Sequence, residues 1–389
     1  MVDFNKEIDR RGTFCTQWDY IEDRFGEADL LPFTISDMDL ESPEAIVNSL
    51  VERCQHGVFG YSRWHHKAFM GAVQKWYQRY HLEVNGDWLI YSPSVMYSVA
   101  KLINLTSQAG DGVVILTPAY DAFFKTIRAN KRKIIDCPLS YEEGQYTIDF
   151  IAFEEAIQKA KVFLLCNPHN PTGRVWTKEE LKQLIAICQK HQVFIISDDI
   201  HMDITYKRSY TPILVLSSYE KMAILTSASK TFNIPALTGS YGMIPDSQLR
   251  EEFLYIIKNK EAVSSPAILA IIATITAYQE CDEWLSELLA HTKANISYVS
   301  EYLEEHMPEL TCQMPDGCYF AWINFEALGV TSDKLQKALI EVGKVAIMPG
   351  NTYGETAEYF LRLNVACSRQ KVVDGLKRLE KAYQYLKEQ

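Results

Sequence analysis

The chain has few of the features that would place it in a membrane, on nucleic acid or in an oxidising compartment. No apolar run approaches the roughly 20 residues a membrane span needs, and the opening MVDFNKEIDRRG is charged throughout, unlike a secretory leader. A cytoplasmic protein is expected. No Lys/Arg block offsets a formal net charge of −11, and RANKRK (128–133) is short and isolated, so a nucleic-acid surface is disfavoured and a small-molecule partner is expected. The nine cysteines are odd in number, scattered and without a C-x-x-C, which reads as reduced, packed thiols rather than a disulfide frame or metal site. There is no H-E-x-x-H and no G-x-S-x-G, so zinc-peptidase and serine-hydrolase chemistry lack their motifs.

The chain does contain an α/β rhythm. Between about residues 90 and 245 the apolar runs VVILTP (113–118), KIIDCPL (133–139), VFLLCNP (162–168), VFIISDD (193–199), MAILTS (222–227) and GSYGMIP (239–245) alternate with helix-like segments. One of these, TKEELKQLIAICQKH (177–191), puts Leu181, Leu184, Ile185 and Cys188 on one face behind a Thr177/Glu180 capping box. Crossover helices imply a largely parallel sheet. After about 285 the pattern becomes long helices, two alternating segments (GCYFAWINF, YFLRLNVAC) and a terminal amphipathic helix. The expected division is an N-terminal segment, 1–45, packing with a small α+β domain, 285–389, around a large domain, 46–284.

Ligands of open α/β sheets bind beyond the carboxyl ends of the strands. Tyr120 follows the first run, NPHNPTG (167–173) the third, Asp198 the fourth, and Ser227, Ser229 and Lys230 the fifth. Taken singly, each could be a turn former, a cap or a core aromatic. Together, an amine, a carboxylate, an aromatic and hydroxyls at one sheet edge match pyridoxal 5′-phosphate (PLP). The amine condenses with its aldehyde, and the carboxylate keeps the pyridine nitrogen protonated. Asp198 and Asp199 are adjacent on a strand, so only one can meet the ring. The serine-rich start of the helix after residue 92 offers free N–H groups to the phosphate, with a plain N-cap as the alternative reading of Ser94.

NPHNPTG, SDDIHMD, SASKTFNIPAL and YFLRLNVACSR, in this order and spacing, resemble fold-type I PLP enzymes of the aminotransferase superfamily over nearly the whole chain. FTISDMDLESP, FGYSRWHHKAF and ISDDIHMDI are most similar to its MalY/PatB-type cystathionine β-lyase (C–S lyase) branch. The resemblance implies an α/β large domain with a mostly parallel seven-stranded sheet sandwiched by helices, plus a smaller α+β C-terminal domain. It implies that Lys230 is the cofactor-binding lysine, that Asp198 pairs with the pyridinium, that Asn170 hydrogen-bonds the ring oxygen O3′, that Tyr120 stacks on the ring and that His201 is among the cofactor-binding residues. Val95 and Met96 match the backbone phosphate cradle, Ser227 and Ser229 its hydroxyls, and Tyr61 a tyrosine donated by the other subunit of a homodimer. Arg362 matches the grip on the substrate α-carboxylate, with Asp37, Tyr120 and Asn170 beside it. Ser94, Asp199 and Gln17 stand where glycine, glutamate and lysine are frequent, and His201 and Thr238 where aminotransferases carry tyrosine and arginine. The implied reaction is α,β-elimination of thiol from cystathionine, cysteine or S-substituted cysteines. The alternatives are an aminotransferase using the same residues and, less favoured, a regulatory protein with an incidental PLP site.

Overall fold

Continuous apolar runs bounded by turn formers give strands buried on both faces, and the central sheet is built from them. The computed structural model describes residues 3–263 and 265–389. The central strands are β1 (Leu89–Ser92), β2 (Gly112–Thr117), β3 (Lys133–Pro138), β4 (Val162–Cys166), β5 (Phe194–Asp198), β6 (Met222–Thr226) and β7 (Ser240–Met243). They lie in the order β1-β7-β6-β5-β4-β2-β3. All neighbours from β6 to β3 are parallel, and β7 runs antiparallel to both β6 and β1. The expected seven-stranded, mostly parallel sheet is present.

Alternate residues of the strands supply the two cores. Val114, Phe163, Ile195 and Ile224 face one side, and Ile115, Leu164, Ile196 and Leu225 the other. The helices include α1 (Glu44–Gln55), α2 (Lys67–Gln78), α3 (Val95–Thr106), α4 (Asp121–Ala129), α5 (Lys178–Lys190), α6 (Ile268–Glu280), α7 (Asp282–His306) and α8 (Arg369–Lys387). The sheet is covered on one side by α3 and α4, through Val99, Leu102, Phe123 and Ile127, and on the other by α5 through Leu181, Leu184, Ile185 and Cys188. The Thr177/Glu180 capping box forms, with bonds of 3.1 and 2.8 Å.

A second, antiparallel sheet contains β8 (Thr311–Cys312), β9 (Phe320–Asn324), β10 (Met348–Pro349) and β11 (Phe360–Asn364) in the order β8-β9-β11-β10. Residues from near the start of the chain reach this part of the fold: Leu31 and Pro32 pair in parallel with Val345 and Ala346 as a separate two-stranded sheet, and Asn364 Nδ2, on β11, donates to Ile35 O (2.7 Å) and Asp37 O (2.6 Å). The loop 34–39 is thereby carried to the edge of the central sheet. Among the described residues no helix is long and apolar enough to cross a membrane.

Candidate active site

The carboxyl ends of β4, β5 and β6 and the amino end of α3 surround a cavity of about 220 Å³. Successive side chains on a strand point to opposite faces, so β5 delivers Asp198 to the cavity and turns Asp199 away from it. Asp199 accepts from Ser197 Oγ (2.5 Å) and from the Tyr210 hydroxyl. Asp198 accepts one bond, from the Ile200 N–H (3.2 Å), and has no ion-pair partner among the described residues. Burial raises its carboxyl to about 7, against the opposing pull of that N–H and of the Lys230 charge.

Lys230 sits in the turn that follows β6. Ser227 Oγ donates to Gly239 O (2.7 Å) and accepts from Ser229 N (3.1 Å), which shapes the turn. The Lys230 side chain is aimed into the cavity, and its Nζ donates to Ser36 O at 2.9 Å. Burial lowers this amine from 10.5 to about 8; the negative charges of Asp37 and Asp198 resist the change, and Arg362 adds to it.

At the opposite wall α3 begins. Ser94 caps it, accepting from Tyr97 N through Oγ (3.1 Å), while Ser98 N bonds to Ser94 O (3.2 Å). The cap reading of Ser94 is correct, and it leaves the N–H groups of Val95 and Met96 free at the cavity wall, where an anion is favoured. Ser229, Tyr120 and Asn170 also line the space. Arg362, on β11, donates from Nη1 to Asn170 Oδ1 (3.0 Å) and from Nη2 to Thr34 O (2.8 Å), and its buried Nε has no partner among the described residues. His201 lines the cavity, its Nδ1 without a partner among the described residues, and burial holds its ring neutral, down at about 3.

Of the residues assigned to the site from the sequence, three do not line this cavity: Tyr61, Asp37 and Arg362, the last meeting the cavity wall through Asn170. Tyr61 is fully exposed on the outer surface. Asp37 Oδ2 accepts from Arg10 Nη2 (2.7 Å), and its buried Oδ1 has no partner among the described residues. The main omission is Ser36, whose carbonyl meets Lys230; Thr238, Gly239 and Ile200 also line the cavity. Ser36 lies inside FTISDMD, but a backbone carbonyl leaves no mark on residue type.

The arrangement fits PLP. A buried carboxylate without a cation awaits a protonated ring nitrogen, free helix N–H groups await a phosphate, and a weakened amine lies within reach of both. Ser227 fits less simply, because its hydroxyl hydrogen is already committed to Gly239.

Fold and site together define a fold-type I PLP protein. The family model described as Aminotransferase class I and II matches residues 28–379, and the chain belongs to that family. It is 45% identical over 381 residues to Protein MalY of Escherichia coli K12, covering 97% of each chain. It is 35% identical over 387 residues to the cystathionine β-lyase PatB of Bacillus subtilis 168, covering 98% of this chain and 100% of that one. The PLP-bound C–S lyase of Staphylococcus hominis complexed with L-cycloserine superposes with a TM-score of 0.91 at 28% identity, over 98% of both chains.

Proposed function

We propose that this chain cleaves the C–S bond of L-cystathionine, L-cysteine or S-substituted L-cysteines by α,β-elimination, releasing a thiol (homocysteine or hydrogen sulfide), pyruvate and ammonia. The observation that carries the reading is the buried Lys230 amine, lowered to about 8, sharing one cavity with the Asp198 carboxylate and within electrostatic reach of Arg362. PLP bound there supplies an electron sink for negative charge at the substrate Cα. Lys230 anchors it and Asp198 keeps its ring nitrogen charged. The Val95 and Met96 N–H groups and Ser229 hold the phosphate, with Ser227 shaping the turn. Asn170 and His201 serve O3′, and Tyr120 flanks the ring.

Arg362 holds the substrate carboxylate and so sets which bond at Cα faces Lys230. Once the substrate's amine has taken its place, the freed Lys230 amine would remove the Cα proton. A base that titrates near neutrality is suited to this, because it is free to accept the proton yet basic enough to keep it. A sulfur on Cβ leaves as thiolate with the electron pair of the broken bond. The relative named cystathionine β-lyase and the neighbour named C–S lyase favour this outcome over transamination. The family description keeps transamination as the second reading.

With no keto acid added, cystathionine or cysteine is expected to give pyruvate and ammonia in equal amounts over many turnovers. A single turnover that stalls with the cofactor as its amine, and restarts when a keto acid is supplied, establishes the aminotransferase instead.

We further propose a homodimer in which Tyr61 reaches the phosphate of the neighbouring site. Its complete exposure, next to exposed Val58 and Phe59, supports this. Asp37, held by Arg10, borders the substrate space. The free, mostly buried cysteines support a cytoplasmic location. The backbone pairing of residues 31–32 with 345–346 supports assigning 1–45 to the small domain (285–389) rather than to the large one (46–284).

A further inference from the structure

Asp203, five residues beyond Asp198, is a fully enclosed carboxylate with no lysine or arginine ion pair among the described residues, yet it accepts three side-chain bonds. Its two oxygens are used differently. Oδ1 takes Trp76 Nε1 (3.0 Å) and the Tyr80 hydroxyl (2.5 Å), both from α2 and the turn after it. Oδ2 takes only Thr231 Oγ1, at 2.7 Å. Thr231 is the residue after Lys230, is wholly buried, and has no other side-chain bond among the described residues.

The segment carrying Lys230 is a turn rather than a helix, and few backbone bonds hold it; Phe232 N to Ala228 O (3.0 Å) and Ile234 N to Ser229 O (3.0 Å) are the ones that span it. A lysine side chain has four rotatable bonds, so the reach and direction of Nζ depend on how firmly the backbone beneath it is oriented. Asn233 pins the far end of the turn to the 38–40 loop, through Met38 N (3.0 Å), Met38 O (3.0 Å) and Leu40 O (2.7 Å). The Asp203–Thr231 bond pins the residue directly after Lys230. Burying a carboxylate is costly unless donors compensate it, and the donors here lock α2 and the lysine turn to one point.

We propose that Asp203 is a positioning residue for Lys230, acting through Thr231. The proposal rests on Lys230 being the cofactor-binding lysine, as argued above.

The test compares bonds to the two oxygens in the cofactor-loaded protein. Thr231→Val removes the bond to Oδ2, Thr231→Ser retains it, and Tyr80→Phe removes one bond to Oδ1. For T231V, kcat is expected to fall about tenfold with KM changed less than about twofold, and the pH midpoint of the cofactor's visible absorption to move by about one unit. T231S is expected to restore both. Y80F is expected to lower Tm as much as T231V while leaving kcat and the midpoint in place. A T231V protein that loses Tm alone, or a Y80F protein that moves the midpoint equally, overturns the proposal and makes Asp203 a structural staple only. If T231V is not recovered folded, Thr231→Ala carries the same comparison. Borohydride reduction and peptide mapping of the wild type separate the two readings, since cofactor found on a residue other than Lys230 overturns the functional reading itself.

Discussion

Asp198 shows most directly how the site is held in readiness against the stability of the fold. Burial lifts its carboxyl to about 7, whereas in an unfolded chain it titrates near about 3.9. Between those values the unfolded chain has released a proton that the folded chain keeps. The stability of the cofactor-free protein therefore falls as pH rises through this window, by up to about 4 kcal/mol at completion. Asp198→Asn removes the penalty. By calorimetry, cofactor-free D198N is expected to melt above the cofactor-free wild type at pH 8 and to converge with it near pH 4. The same variant is expected to lose bound cofactor on dialysis, because an amide cannot neutralise a pyridinium. Asp198 and Lys230 were legible in the sequence because strand-end chemistry is local. The contact between Lys230 Nζ and Ser36 O spans 194 residues and involves a main-chain atom, so no local pattern could announce it.

At the scale of elements, the loop 34–39 is the part of the site with least regular structure and most side-chain support. Asp39 receives Arg10 Nη1 (2.8 Å), Trp18 Nε1 (3.0 Å) and the Lys371 ammonium from α8. Burial alone would raise its carboxyl, but Lys371, Arg10 and Trp18 together hold it below the ordinary carboxylate range. Its contribution is therefore complete above about pH 4 and disappears as acid carries the pH down through the folded value. Asp39→Asn leaves the Lys371 ammonium buried without its counter-ion and is expected to cost about 3 kcal/mol at pH 7. Urea midpoints measured at a series of pH values should show the gap from wild type closing below pH 4. The helix boundaries near the site were readable beforehand, as the Thr177/Glu180 box shows, because capping depends on residues three apart. Strand β1 stood outside the quoted apolar runs: LIYS is four residues long, ends in polar groups, and owes its place to antiparallel pairing with β7.

For the whole molecule, the exposed Tyr61 and the enclosed Lys230 belong to different surfaces of one chain, and the proposed dimer joins them. Mixing inactive Lys230→Ala chains with inactive Tyr61→Phe chains is expected to restore activity, because each heterodimer then holds one site with both residues intact. No recovery, despite subunit exchange confirmed by mass spectrometry, places the action of Tyr61 within its own chain. The doubly covered sheet and the strand-end residues were readable from alternation and order along the chain. An N-terminal segment packing with the small domain was expected from the sequence, but the particular meeting of Thr34 O with Arg362 was not, since it spans 328 residues and only the finished fold brings the two together. That separation also sets an order of events during synthesis. A growing chain that has reached residue 300 already contains Lys230, Asp198 and Asn233, but β11 and its guanidinium have yet to be made, and the loop that meets both cations still lacks its bonds to Arg362 and Asn364. The amine and its carboxylate therefore exist on the nascent chain before the guanidinium proposed to hold the substrate, and on that reading turnover waits until β11 has been made.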